Sequence, residues 1–236
     1  MESVKIFEDE KLEYSVNEAY KTLRTNLGFC GADTKVIMLT SCTPNEGKST
    51  IAIHLGKTLA EDNKKVLLID ADIRKSVLVG RYSVGKVRGL SHYLSGQEEM
   101  DKIIYHTDAE GMDIIFAGPV TPNPTELLGS DLFKELIEEN KDNYDYILID
   151  SAPLGLVIDS AVISHVCDGC LMVIENNHIN YRYAQDVKKQ LQRAGCRILG
   201  VVLNKVKTGK TGYGKYGKYG QYGRYSKNGI YGSYGE

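Results

Sequence analysis

Residues 41–50 read Ser41-Cys-Thr-Pro-Asn-Glu-Gly-Lys-Ser-Thr50. Before them runs the apolar stretch Lys35–Ser41, and after them the helical pattern Ile51-Ala-Ile-His-Leu-Gly-Lys-Thr-Leu-Ala-Glu61. A strand, a tight loop ending in Gly-Lys-Ser and a helix place backbone N–H groups around phosphates at a helix N-terminus. In that arrangement Lys48 reaches the β and γ phosphates and the Ser49 hydroxyl ligates Mg²⁺. Asn45, Glu46, Gly47 and Thr50 complete the loop. Cys42 departs from the GxxxxGK[ST] pattern, which has glycine there.

Two further strand ends carry acids. Val66-Leu-Leu-Ile-Asp-Ala-Asp-Ile-Arg74 ends an apolar run on Asp70 and Asp72, and Tyr146-Ile-Leu-Ile-Asp-Ser-Ala-Pro153 ends one on Asp150. Carboxylates at two strand ends beside a phosphate loop suit hydrated Mg²⁺, so the three elements together indicate nucleotide hydrolysis or phosphoryl transfer. Candidate strands are Lys35–Ser41, Lys65–Asp70, Met112–Ala117, Asp145–Asp150, Cys170–Glu175 and Arg197–Asn204, with helical patterns at 47–63, 125–140, 159–165 and 181–194. Runs such as Val66–Ile69 and Ile147–Ile149 are apolar throughout, which fits strands buried on both faces. The predicted fold is α/β, a P-loop NTPase-like doubly wound, mostly parallel sheet flanked by helices. In such sheets ligands sit at the carboxyl ends of the strands. All five prolines (Pro44, Pro119, Pro122, Pro124 and Pro153) follow candidate strands on that edge.

The chain of 236 residues has a formal net charge of −2, which hides an asymmetry. From Lys205 onward there are seven Lys/Arg and one Glu, so this segment is +6 and residues 1–204 are −8. The same segment holds Tyr213, Tyr216, Tyr219, Tyr222, Tyr225, Tyr231 and Tyr234, seven of the sixteen tyrosines. Residues 209–236 contain nine glycines and almost no aliphatic side chains, so they cannot bury a core, and disorder is expected. A spanning helix needs roughly 18 apolar residues. The longest stretch free of Asp, Glu, Lys and Arg, Ile114–Thr125, carries three prolines. The acidic start argues against a signal peptide, so the five cysteines read as reduced thiols. Cys167-Asp-Gly-Cys170 lacks a second pair or a histidine cluster, and Cys170 reads as a small apolar strand residue rather than a zinc ligand.

At these residues the chain resembles the bacterial tyrosine kinases (BY-kinases) of capsule and exopolysaccharide biosynthesis, in their separate cytoplasmic form. The resemblance rests on Ser41, Pro44, Glu46, Gly47, Lys48 and Ser49 in the loop, with Asn45 in place of a glycine. It rests also on Ile69-Asp70-x-Asp72-x-Arg74, on Leu148-Ile149-Asp150-x-x-Pro153 and on the Pro122-Asn-Pro-Thr-Glu-Leu-Leu128 stretch. Glu18, Lys21 and Arg24 stand where the family's oligomerisation helix has Glu-x-x-Arg-x-x-Arg. The resemblance implies three parts: an N-terminal oligomerisation segment (1–34), a kinase domain (35–204) and a tyrosine-cluster tail (205–236).

What it implies chemically is transfer of the γ-phosphoryl group of ATP to tyrosine, with Ser49, Asp72 and Asp150 positioning Mg²⁺ and the tail tyrosines as acceptors, in trans. A tyrosine hydroxyl of pKa about 10 needs a base. Asp70 is the first choice and Asp72 the alternative, while Arg74 either stabilises transferred charge or orients the two aspartates. Implied partners are further copies in a ring, a membrane activator of the polysaccharide co-polymerase type and a cognate phosphotyrosine phosphatase, with no nucleic acid. The implied location is the cytoplasm, at the inner face of the membrane. A partition-type or scaffold ATPase shares the fold, but typically has lysine where Thr43 stands. Each phosphotyrosine adds about −1.5 to −2 charges, so three or four cancel the +6 of the tail.

Overall fold

The computed structural model describes residues 2–7, 12–82, 85 and 87–206. By compactness the chain divides into residues 1–204, which hold the sheet and its helices, and residues 205–236. The tail tyrosines from Tyr213 to Tyr234 lie outside the described residues. The strands are β1 (Glu2–Val4), β2 (Val36–Ser41), β3 (Val66–Asp70), β4 (Ile104–Thr107), β5 (Met112–Ile115), β6 (Tyr146–Asp150), β7 (Gly169–Glu175) and β8 (Ile198–Asn204). The helices are α1 (Tyr14–Gly28), α2 (Lys48–Ala60), α3 (Leu78–Arg81), α4 (Leu90–Leu94), α5 (Pro124–Leu128), α6 (Asp131–Lys141), α7 (Asp159–Ile163) and α8 (Tyr181–Arg193).

Every residue of β2 and β3 is buried, as the continuous apolar runs require of strands covered on both faces. The eight strands form one sheet in the order β1-β4-β5-β3-β6-β2-β7-β8, parallel throughout except for the antiparallel pair β4–β5. Alternation along the strands divides the core in two. Val36, Met38, Leu67 and Ile69 pack with Phe133, Leu136 and Ile137 of α6 and Val187 and Leu191 of α8. Ile37, Leu39, Leu68 and Leu148 pack on the other face with Leu55 and Leu59 of α2 and Leu27 of α1. At about 25 cal/mol per Å² of apolar surface removed from water, these two layers are the main stabilising force of the fold.

This order sets the site. β6 lies between β2 and β3, with Asp150 in register with Leu39 on one side and Asp70 on the other. The phosphate loop and both acidic strand ends therefore meet on one edge. Among the described residues no helix is long and apolar enough to cross a membrane.

Local chemistry departs from the sequence-based element boundaries in several places. The helix expected over 125–140 is two, because Ser130 caps α6 by accepting from the Phe133 N–H at 3.4 Å and donates to the Leu127 carbonyl at 2.7 Å. The strand expected to reach Ala117 stops at Ile115, since the Phe116 and Ala117 carbonyls instead accept from Leu90 and Ser91 at the start of α4. β1 and β4 are additional. Each is only three or four residues long and has too little periodicity to stand out in the sequence.

Candidate active site

The loop between β2 and α2 is held from within. Asn45 has φ 66° and Gly47 φ 93°, so the chain turns twice through the left-handed region before α2 begins at Lys48. Asn is among the residues that tolerate this region best after glycine. Glu46 is 1% exposed, and its carboxylate faces inward. It accepts from the N–H groups of Cys42 (2.7 Å) and Thr43 (2.8 Å), and from that of Glu175 at the end of β7 (3.2 Å). Its side chain thus builds the loop, and only its main chain is left to face a ligand. Asn204, the last residue of β8, donates from Nδ2 to the Glu46 carbonyl at 2.8 Å. A Cβ on Gly47 would stand 2.0 Å from that nitrogen. No motif marks Asn204; its one signal in the sequence is that, like the aspartates, it is a polar residue at a strand's carboxyl end.

Lys48 is 7% exposed, and its Nζ lies 3.0 Å from Asp150 Oδ1 and 3.3 Å from Ser49 Oγ. Burial alone would lower its pKa. The neighbouring carboxylates, Asp150 first and then Asp72 and Asp70, outweigh burial and hold it above the usual lysine value. Asp70 is 1% exposed; its Oδ2 accepts a short hydrogen bond from Ser76 Oγ and its Oδ1 accepts from the Asp72 N–H at 3.3 Å. Burial, reinforced by the charge of Asp150, pushes Asp70 up to about 7, against the opposing pull of Ser76 and Lys48. Asp72 is half-buried, and its Oδ1 accepts from the Lys75 N–H at 3.1 Å.

The raised Asp70 has a consequence for stability. Folded, it keeps its proton up to about pH 7, whereas unfolded aspartate loses it near 3.9. The native state therefore binds more protons across that window, and stability falls as pH rises through it. Asp70→Asn removes the charging cost. In metal-free buffer it is expected to raise Tm at pH 8 by about 4–8 °C, for roughly 2 kcal/mol, and much less at pH 5. Melting curves across this range check it, and an equal shift at both ends contradicts it.

Arg74 places its hydrogen bonds on Asp159 and Thr125. Its fork closes on Asp159 at the start of α7, Nε to Oδ2 at 2.5 Å and Nη2 to Oδ1 at 2.9 Å, and Nη2 also meets Thr125 Oγ1 at 2.8 Å. Thr125 in turn donates to Asp159 at 2.7 Å. This buried carboxylate ties the β3 exit to α5 and α7. Next to it, Thr40, Ser151 and Ser160 share buried hydroxyl bonds of 2.8–2.9 Å that fix the ends of β2 and β6. Thr50 accepts from Arg81 Nη1 at 2.8 Å. The structure thus brings Lys48, Ser49, Asp70, Asp72 and Asp150 together, with Arg74 one residue layer away. Ser76, Thr125 and Asp159 join them without a sequence signal beyond their nearness to the motifs.

Glu18, Lys21 and Arg24 lie on α1, which packs on α2. Lys21 and Glu18 pair at 2.7 Å, while Arg24 donates to the Thr58 carbonyl at 2.8 Å and approaches Asp62 at 3.7 Å. Cys170 is fully buried within β7, as a strand residue should be.

The donors present fit a magnesium nucleotide. Ser49, Asp72 and Asp150 offer hard oxygen ligands only, and the buried Asp150 Oδ1 has the Lys48 ammonium 3.0 Å away. Mg²⁺ binds through one or two carboxylates together with phosphate oxygens and water, so it needs no larger protein cage. The first N–H groups of α2 have no partners within the helix and face the loop.

Residues 34–195 match the family model described as AAA domain. The chain is 40% identical over 201 residues to the tyrosine-protein kinase CpsD of Streptococcus agalactiae serotype III, covering 84% of this chain and 87% of that one. Its structure is similar to the kinase domain of the Escherichia coli tyrosine kinase ETK, with a TM-score of 0.77, 33% identity and coverage of 84% of this chain and 81% of that one. It is less similar to the septum site-determining protein MinD complexed with Mg-ADP from Pyrococcus horikoshii OT3, with a TM-score of 0.61, 27% identity and coverage of 72% and 69%. At this identity and coverage, and with the phosphate loop and both acidic strand ends on one edge of the sheet, the chain belongs to the bacterial tyrosine-protein kinases.

Proposed function

We propose that the chain transfers the γ-phosphoryl group of ATP to the tyrosines of its C-terminal cluster on a neighbouring copy. The observation that carries this reading is the buried group of Lys48, Asp150, Asp70 and Asp72 at the phosphate loop, in a chain whose last 32 residues hold seven tyrosines. Lys48 and the loop N–H groups stabilise charge on the phosphates as the bond to the leaving oxygen lengthens. Ser49, Asp72 and Asp150 are the residues that would hold Mg²⁺, which would neutralise charge on the phosphates when bound. Asp70, the first choice of base on sequence grounds, has both oxygens occupied and is sealed from solvent. Asp72 is half-exposed and takes the proton in this reading. Arg74, fastened to Asp159, holds the loop that carries Asp72.

The same reading includes regulation of capsular or extracellular polysaccharide synthesis and export, supported by the kinship with CpsD-type kinases. It also includes a membrane-bound activator of the co-polymerase type, ring assembly through Glu18, Lys21 and Arg24, an opposing phosphatase, and residence in the cytoplasm at the membrane. Deleting Gly209–Glu236 is expected to remove most phosphotyrosine while leaving ATP affinity within twofold, read by immunoblot and nucleotide titration. Label persisting in the truncated chain overturns the acceptor assignment. ATP hydrolysis without any phosphotyrosine would favour a cargo-moving ATPase instead.

A further inference from the structure

At the amino end of β7, away from the phosphate loop, two thiols separated by 26 positions in the sequence meet. Cys170 is the second residue of β7, and Cys196 lies in the turn between α8 and β8. The Cys170 N–H donates at 2.8 Å to the carbonyl of Arg197, the residue after Cys196. Gly195, at φ 75°, turns the chain there, and the Cys196 N–H donates back to the Leu191 carbonyl at 3.0 Å. Both cysteines belong to the core layer that packs Val187 and Leu191 of α8. A hydrogen bond between the two thiols holds Cys170 above the ordinary thiol range and Cys196 below it. Cys167 Sγ is turned to the Ile163 carbonyl at 3.3 Å. All five cysteines are free thiols, and among the described residues no group of three or more His, Cys, Asp or Glu is placed to hold a metal ion. Redox chemistry, rather than zinc, is what this pair can do.

The two thiols differ in access. Cys170 is 0% exposed, whereas Cys196 is 7% exposed and lines a groove of about 590 Å³ between α8 and β8, with Lys188 and Arg197 also in its lining. A thiol reached from solvent and set among cations is the more readily oxidised, and a second thiol beside it can resolve the product.

We propose that Cys196 and Cys170 form a peroxide-sensitive dithiol, Cys196 reacting first through the groove and Cys170 then closing a disulfide that joins the turn after α8 to β7. The oxidant is a small hydroperoxide. In the first step the Cys196 thiolate sulfur bonds to one peroxide oxygen, the O–O bond breaks, and the other oxygen leaves as water with a proton from solvent, giving a sulfenic acid. In the second the Cys170 sulfur bonds to the Cys196 sulfur and the S–O bond breaks, so that the oxygen leaves as water with the Cys170 proton. Two electrons pass from the thiols to the peroxide.

The test treats the reduced full chain with hydrogen peroxide, blocks the remaining thiols with iodoacetamide and maps the peptides by mass spectrometry. A Cys170–Cys196 link in most of the protein, returned to two free thiols by dithiothreitol, is the expected result. Cys42, whose thiol burial pushes up to about 12, should stay free. Cys196→Ser, shown to be folded by its melting transition, should leave Cys170 unoxidised under the same treatment. In the unchanged chain, Cys196 linked to another cysteine, oxidised beyond the sulfenic acid with Cys170 still free, or left unreacted overturns the proposal. Oxidation of Cys170 in folded Cys196→Ser to the same extent as in the unchanged chain overturns the order of reaction.

Discussion

Replacing Lys48 with Met is expected to lower the rate of phosphotyrosine formation at least ~100-fold and to lower thermal stability at neutral pH in the same protein. The first effect follows from transition-state charge. A single preorganised donor aimed at developing charge in a dry site accounts for about 10²–10³ in rate, and Lys48 is both buried and flanked by the loop N–H groups. The second follows from what Lys48 leaves behind. Its ammonium lies 3.0 Å from Asp150, and Asp150 and Asp70 are each only 1% exposed. Removing one partner of a buried ion pair costs about 3–5 kcal/mol, because the other charge stays desolvated. Part of that loss should be recovered as pH falls, since protonation of Asp70 removes one of the two facing charges. Kinetics by phosphotyrosine blot and melting curves at pH 5.5 and 7.5 check both arms. A rate within tenfold of the unchanged chain would remove Lys48 from the chemistry.

Gly47→Ala is expected to weaken Mg-ATP binding at least ~100-fold, roughly 3 kcal/mol, through two separable faults. One is conformational, because φ 93° suits glycine and strains any residue with a Cβ. The other is steric, because the new methyl would stand 2.0 Å from Asn204 Nδ2, the group that holds the Glu46 carbonyl. Asn204→Ala alone removes the clamp and should weaken binding less. In the double variant the methyl has space but the strain persists, so the two changes should be less than additive by about 1 kcal/mol or more. Isothermal titration of all four proteins measures the coupling. Strict additivity would mean that Asn204 and Gly47 do not meet as the structure has them.

The reach of the sequence follows from how each feature is encoded. Strands buried on both faces are written as uninterrupted apolar runs, which is why β2, β3, β6 and β7 are legible to within a residue or two. The acids at their ends are legible for the same reason, since Asp70 and Asp150 interrupt those runs where the chain leaves the sheet. Short elements carry too few periods to register, so β1, β4, α3 and α4 emerge only from tertiary pairing. The support of the site is also hidden. Nothing in a linear reading says that Glu46 turns inward to three backbone N–H groups, or that Arg74 finds Asp159 eighty-five residues away. Those contacts are properties of the folded edge, where α5, α7 and the β3 exit converge.

Transfer of phosphate from the cluster at the phosphate loop onto tyrosine in another copy of the chain is open to a direct test. The tail-deleted chain, as enzyme, is mixed with full-length Lys48→Met, as acceptor, in Mg-ATP, with an activator fragment added. Phosphotyrosine on the Lys48→Met chain, mapped to the segment from Tyr213 to Tyr234 and absent when the enzyme also carries Lys48→Met, is the expected result. An acceptor that stays unlabelled while full-length chain labels itself would contradict transfer between copies, and the absence of label in every mixture would contradict tyrosine phosphorylation itself.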